Sequence, residues 1–359
     1  MRYGEHPTWV TATKAGAAAV GSGALAGGAG WAAYNYLLRQ AQATRGVIGR
    51  PTGRPPRADG VYSPGCGHPE RWTRTSAVDL HLMIFGDSTA AGLGCEVPDE
   101  VPGVLLARGL AEETGLRVRL STKAIVGATS KGLKGQVDAM FVAGPPPDAA
   151  VILIGANDVT TRLSPRGSAH RLGEAVARLH GSGAAVVVGT CPDLGVVTTI
   201  PQPLRAVVRR WGLRLAKEQA AATRAAGGVP VPLADLLTPE FLATPDALFS
   251  ADHFHPSAAG YELAGEQLLP ALCTALGVWS GGPLPVLPQV SAAVESRRMA
   301  NRTAEVLDRI WRRHEEVRNE RAGLVGEPNP FGEVPAEAVR DAARAQQRRR
   351  RESPAQPAT

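Results

Sequence analysis

The chain has 359 residues, 44% of them hydrophobic, a length that can bury one substantial core and still leave long flanking segments. Its formal net charge is +6, but arginines concentrated near the C-terminus contribute much of the basic excess. The net charge therefore says little about the folded core and indicates no specific nucleic-acid partner. Cys66, Cys95, Cys191 and Cys273 form no C-x-x-C pair, which argues against a zinc site or a thioredoxin-like redox site. They are compatible with free thiols or with two disulfides, depending on the compartment.

The first feature along the chain is an uncharged stretch, residues 15–38, rich in glycine and alanine. At about 1.5 Å per helical residue it is long enough to cross a bilayer core of about 30 Å. We therefore expect a membrane anchor or a signal segment within an N-terminal tail of residues 1–50. Its low apolarity also suits a soluble or surface-lying segment. Basic residues stand on both sides, so the side of the membrane stays open, as do a cytoplasmic and a secreted location.

Residues 51–79 are rich in proline, glycine and arginine and show little apolar periodicity. This composition predicts a linker, or a coil that lies over the surface of the folded domain. The domain itself is expected over residues 80–278, because the apolar runs begin there and a glycine- and proline-rich break follows Trp279.

Within that span, short apolar runs alternate with longer helical stretches. The runs lack strict polar alternation, which is typical of parallel strands covered on both faces. The predicted architecture is a three-layer α/β/α sandwich around a five-stranded parallel sheet. The predicted strands cover residues 81–85, 118–126, 150–154, 184–190 and 229–233, and the predicted helices cover residues 101–114, 133–143, 169–182, 204–226 and 257–276.

The C-terminal region, residues 279–359, is charged. Met299, Val306, Ile310 and Val317 are spaced by seven, four and seven residues, which places them on one face of a predicted helix. The rest has the composition of a disordered tail. Its arginine run at 348–351 predicts a solvated tail, with attraction to anionic lipid or nucleic acid as the alternative.

Immediately after the first predicted strand comes Gly86-Asp87-Ser88, with Gly92 a little further on. A serine here lies at the carboxyl end of a strand, where α/β sheets open their ligand crevice. The tripeptide alone is more typical of a turn, because glycine, aspartate and serine are common turn residues.

The next two strand ends carry groups that can donate hydrogen bonds to a ligand. The second strand runs to Gly127, where the lack of a side chain lets a backbone N–H approach a ligand. The third runs into Gly155-Ala156-Asn157-Asp158, whose asparagine has two N–H donors. A simple turn at Gly127 and an Asx-turn or helix cap at Asn157 are the alternatives.

Asp252 and His255 stand just ahead of the last predicted helix. An acid three residues before a histidine can accept a hydrogen bond from the imidazole Nδ1 while Nε2 faces outward. His253 is an alternative base, but the D-x-x-H spacing and the following Pro256 favour His255.

Together these residues meet the needs of acyl transfer, which requires a nucleophile, a base, a group that orients the base, and donors for the developing oxyanion. All are expected at the same rim of a doubly wound sheet. In this order, the four blocks resemble those of the SGNH hydrolase (GDSL esterase/lipase) family, and the resemblance spans residues 81 to about 272.

The resemblance implies a flavodoxin-like SGNH hydrolase fold and a serine ester hydrolase of the carboxylesterase or lipase type. It implies that Ser88 attacks the acyl carbon, that His255 accepts its proton, and that Asp252 holds the imidazole. The Ser88 N–H, the Gly127 N–H and the Asn157 side chain would form the oxyanion hole. The expected substrate is a small or medium acyl ester that passes through an acyl-enzyme.

The resemblance also assigns Asp87 and Asp158 to bracing loops through backbone amides. No cofactor and no metal are expected, and membrane association is expected only through residues 15–38.

One alternative is a membrane-tethered binding or scaffold protein without hydrolysis, and another is an O-acyl transferase or deacetylase that acts on carbohydrate. A nucleotide-binding domain is disfavoured because no G-x-x-x-x-G-K-[ST] or G-x-G-x-x-G turn is present, and a metal hydrolase because no second ligand cluster stands at a strand end.

Overall fold

The computed structural model describes residues 35–44, 46 and 53–278. Most of the uncharged N-terminal stretch and all of the predicted C-terminal helix and tail lie outside the described residues. Among those that are described, no helix is long and apolar enough to span a membrane.

A mixed sheet of six strands in the order β1-β3-β2-β4-β5-β6 forms the middle layer. Five of its strands are parallel, which confirms the predicted parallel sheet, and β1 pairs antiparallel with β3 at one edge. The chain leaves β2 toward β3 and then crosses back to β4, so a topological switch point lies between β2 and β4. The strands are β1 Gly60–Tyr62, β2 Leu80–Gly86, β3 Val118–Thr122, β4 Ala149–Leu153, β5 Ala185–Gly189 and β6 Val229–Val231.

The edge strand β1 was not predicted, because it falls in the segment expected to be a linker or surface coil. Val61 pairs with Arg119 of β3, and both Val61 and Tyr62 are buried. The Tyr62 hydroxyl donates to the Ala58 carbonyl at 2.6 Å. Three residues are too few to show an alternation of apolar and polar positions, so the strand has no signature of its own in the sequence.

Helices form the two outer layers, and the five predicted helices are confirmed with shifts of a few residues at their ends. The largest shift is at α6, which begins at Pro165 because the Ser164 hydroxyl caps it by accepting from the Gly167 N–H at 3.0 Å. The helices are α1 (residues 35–44), α2 Ser88–Ala91, α3 Pro102–Thr114, α4 Leu133–Ala143, α5 Ala156–Thr160, α6 Pro165–Gly181, α7 Leu204–Ala225, α8 Leu233–Ala243, α9 Pro245–Leu248 and α10 Ala258–Leu276.

Two apolar cores form because successive strand residues point to opposite faces of the sheet. Leu82 and Ile84 of β2 pack on the side of α3 and α10. Met83 and Phe85 pack on the side of α4 and α6. This layering confirms the predicted α/β/α sandwich and leaves the carboxyl ends of the strands free to carry a site.

Candidate active site

Ser88 is the first residue of α2, directly after β2. Gly86 has φ +134°, and a Cβ added there would lie 1.9 Å from the carbonyl oxygen of Leu153, so only glycine fits this bend. Asp87 caps α2 by accepting from the Thr89 N–H at 3.0 Å. The sequence therefore makes a sharp strand-to-helix turn that presents the Ser88 hydroxyl at the switch point.

The turn before α10 holds an acid and a base in fixed orientation. Asp252 Oδ1 accepts from the backbone N–H groups of Phe254 and His255 at 2.9 and 2.8 Å and from the Ser250 hydroxyl at 2.9 Å. Its Oδ2 lies 2.6 Å from Nδ1 of His255. Burial opposes ionisation of Asp252, but the hydrogen bonds from the side chain and backbone of His255 outweigh it and hold the pKa well below its usual range.

The two halves of the site meet across 167 residues of sequence, with Ser88 Oγ 3.0 Å from His255 Nε2. Because an ionised Asp252 can only accept, the Nδ1 of a neutral His255 carries the proton, and Nε2 accepts from the serine hydroxyl. Both Ser88 and His255 are buried, at 7% and 6% exposure, so this hydrogen bond is sheltered from solvent.

Of the three groups predicted to donate to an oxyanion, one is on Ser88, one is on the loop after β3 and one is on α5 after β4. The Ser88 N–H opens a helix, where the first N–H groups have no partner within the helix. Gly127 has φ +81° inside a turn closed by the Ala128 N–H and the Ile125 carbonyl at 3.0 Å. Asn157 donates one amide hydrogen to the Ala128 carbonyl at 3.0 Å, which leaves its second hydrogen for a ligand.

Two buried carboxylates brace these loops, as predicted. Asp87 also accepts from the Gly155 N–H at 3.4 Å and thereby joins the ends of β2 and β4. Burial raises its pKa to about 6, against the effect of these hydrogen bonds. Asp158 accepts from the Ser130 N–H and from the hydroxyls of Ser130 and Ser168.

Two glutamines that the sequence did not single out also hold the strand ends. Gln136 of α4 bonds both the N–H and the carbonyl of Gly86, each at 2.8 Å. Gln219 of α7 accepts from the Cys191 N–H at 2.7 Å and donates to the Ile154 carbonyl at 2.8 Å. A single glutamine inside a helix has no local pattern that would identify it.

The alternative base and the cysteines lie outside the hydrogen-bonded chain. His253 is exposed. Its backbone N–H donates to the Ser250 carbonyl at 2.9 Å, and its carbonyl accepts from the Thr199 hydroxyl at 3.5 Å. Burial raises the pKa of the Cys95 thiol to about 12 and that of Cys191 further, which keeps both as poor nucleophiles. All four cysteines are free thiols.

A cavity of about 90 Å³ opens beside Ser88 and His255. About 10–15 Å³ of such space holds one water, so the cavity has room for a chain of several atoms. Its walls beyond the catalytic groups are mainly apolar and come from β4, the loop after β5, α8 and the turn before α10: Leu153, Leu194, Val196, Val197, Leu233, Leu237, Phe241, Phe249 and Phe254.

Comparison with known proteins places the site in a family. Residues 84–263 match the model of the GDSL-like lipase/acylhydrolase family. A GDSL-like esterase of Mycobacterium tuberculosis is 62% identical over 257 residues, which cover 71% of this chain and 82% of that protein.

Similar solved structures include two bacterial enzymes. A psychrotrophic esterase EstA from Pseudoalteromonas is 18% identical with a TM-score of 0.43, over 55% of this chain and 98% of that one. Phospholipase A1 from Streptomyces albidoflavus is 16% identical with a TM-score of 0.43, over 55% of this chain and all of the other. Because the family model matches half of the chain and the mycobacterial esterase is 62% identical, the chain belongs to the GDSL-like lipase/acylhydrolase family and is an ester hydrolase.

Proposed function

We propose that the chain is a serine carboxylesterase that cleaves small or medium acyl esters through an acyl-enzyme. The observation that carries the proposal is the continuous hydrogen-bonded series from Ser88 through His255 to Asp252, beside an apolar cavity. A nucleophile bonded to a base, which is itself oriented by a third group, is the arrangement that nucleophilic catalysis requires.

In the proposed reaction, Ser88 Oγ attacks the acyl carbon while its proton passes to Nε2 of His255. Asp252 stabilises the imidazolium that forms, and the donors of Ser88, Gly127 and Asn157 stabilise the oxyanion. Collapse of the tetrahedral intermediate breaks the bond to the alcohol, which takes the proton from His255. A water then attacks the acyl-enzyme by the same route and restores the free serine.

The cavity supports an acyl group of limited length. Each methylene that enters an apolar pocket contributes about 0.8 kcal/mol, or roughly fourfold in kcat/KM if the contact is made in the transition state. We expect kcat/KM for p-nitrophenyl esters to rise from the acetyl ester until the cavity is filled, and then to fall.

The test combines that acyl series with acetylated sugars, a fluorophosphonate probe and Ser88→Ala. We expect the probe to label the wild-type chain and to leave the folded Ser88→Ala variant unlabelled and inactive. Equal labelling of both proteins would refute Ser88 as the nucleophile, and a folded wild-type chain that turns over none of the esters would refute the proposed function. Turnover confined to acetylated sugars would replace the acyl-ester assignment by a carbohydrate deacetylase.

A further inference from the structure

An ion pair with a buried carboxylate lies at one wall of the cavity, which Asp193 helps to line. Asp193, in the loop after β5, has a side chain only 1% exposed, and its Oδ2 lies 2.8 Å from Nη2 of Arg209 in α7. Its other oxygen accepts from the Gly195 N–H at 2.8 Å. One carboxylate therefore joins the loop to α7.

The segment that Asp193 holds is short and has weak internal support. Leu194–Val196 is one turn of 3-10 helix, and its backbone bonds are long, with the Val197 N–H 3.4 Å from the Leu194 carbonyl. The stem of Arg209 lies directly on this turn, because a Cβ added to Gly195 would stand 2.5 Å from its Cδ. The ion pair and the stem of Arg209 thus contact the turn directly.

The turn and α8 supply much of the apolar wall of the cavity. Leu194, Val196 and Val197 come from the turn, and Leu237 and Phe241 come from α8. A buried ion pair is a poor source of net stability, because the cost of removing both charges from water offsets much of their attraction. It does constrain geometry, because two opposite charges shielded from water must stay in contact.

We propose that Asp193 and Arg209 are positioning residues that fix the 194–197 turn against α7 and thereby set which acyl lengths the esterase accepts. The inference rests on the proposed function, since the cavity must receive the acyl group. Neither residue belongs to the hydrogen-bonded series of the catalytic groups. They act through the wall that the acyl chain contacts.

The experiment measures kcat and KM for p-nitrophenyl esters from acetyl to decanoyl with the full chain and three variants. Asp193→Asn keeps an acceptor for the Gly195 N–H but removes the charge, Arg209→Gln removes the partner charge, and Arg209→Lys keeps it. We expect both charge-removing variants to lower the ratio of kcat/KM between the best ester and the acetyl ester by about fivefold or more, roughly the contribution of one or two methylenes. The longest accepted chain should also lengthen, and Arg209→Lys should retain more of the wild-type ratio than Arg209→Gln.

A matched control separates positioning from a general loss of stability. Leu179→Ala removes a buried side chain in the core on the α4 and α6 side of the sheet, remote from the cavity. It should lower Tm and leave unchanged the chain-length ratio, which is the ratio of kcat/KM between the best ester and the acetyl ester. If Asp193→Asn fails to fold, the partly exposed Arg209 decides the question through its two variants.

A chain-length ratio that stays at the wild-type value in folded variants would overturn this inference alone, provided that the wild-type activity depends on Ser88. Absence of ester turnover in the wild-type chain would instead overturn the proposed function and the inference with it.

Discussion

At the scale of single residues, the orientation of His255 is set by one short turn. Asp252 accepts two backbone N–H groups and the Ser250 hydroxyl on one oxygen, so its other oxygen has a fixed direction toward Nδ1. His253 adopts a left-handed backbone with φ +53°, which lets the turn close around the carboxylate. His255 is therefore oriented as the base, whereas His253 contributes its backbone conformation to the turn.

We expect His255→Ala to lower kcat for a p-nitrophenyl ester by about a hundredfold or more, because the serine loses its general base. His253→Asn should keep kcat within about threefold of wild type, since asparagine tolerates the left-handed conformation and the imidazole of residue 253 faces solvent. Steady-state kinetics on folded proteins checks both values. Equal losses, or a larger loss in His253→Asn, would reassign the base.

At the scale of elements, the N-terminal helix α1 is attached to the segment that leads from the cavity wall into α7. Gln40 donates to the Gln202 carbonyl at 2.7 Å and accepts from the Leu204 N–H at 3.2 Å. Leu204 is the first residue of α7, whose N-cap position is Pro203 without a side-chain cap. Gln40 thus takes the place of a capping residue from a distant part of the chain.

Gln40→Ala should lower the free energy of unfolding by about 1 kcal/mol, because a helix end loses its acceptor and a carbonyl loses its donor. Urea denaturation of the full chain measures this difference. Gln42→Ala, on the exposed side of the same helix, is the control and should change the free energy of unfolding by less than about 0.5 kcal/mol. Similar values for the two variants would contradict the capping role.

At the scale of the whole molecule, the buried Asp87 links stability to pH. Its folded pKa of about 6 lies above the ordinary value of 3.8, so the folded chain holds this proton over a range in which the unfolded chain releases it. Stability from this group is present in full below the unfolded pKa and is lost as the pH rises through the folded one. The contribution of Asp87 to stability is therefore lost between about pH 4 and about pH 6.

The variant Asp87→Asn removes this titration. The quantity to compare is the free energy of unfolding of the wild type minus that of the variant. We expect this difference to fall by up to about 3 kcal/mol between pH 4 and pH 7, because each unit between the folded and unfolded pKa values corresponds to about 1.36 kcal/mol. Urea denaturation at several pH values checks it, and the subtraction removes carboxylates common to both proteins. A difference that is constant with pH would contradict the raised pKa.

Features that arise from neighbouring residues were determined by the sequence itself. Five parallel strands follow from continuous apolar runs, because a strand covered on both faces must be apolar on both. The same holds for the turn at Gly86-Asp87-Ser88 and for the Asp252 and His255 pair, whose hydrogen bonds close within three residues. Their order along the chain was sufficient to indicate the family.

Only the tertiary structure decided the features that depend on contacts between distant segments. β1 exists because β3 offers it an edge, and α8, which contains Pro239 and was not predicted, is stabilised by packing against α10 and the loop after β5. The cavity, the bond from Gln40 to Leu204 and the pair of Asp193 with Arg209 have no local pattern either. Each joins residues that only the folded chain brings together, and a single sequence carries no record of such pairings.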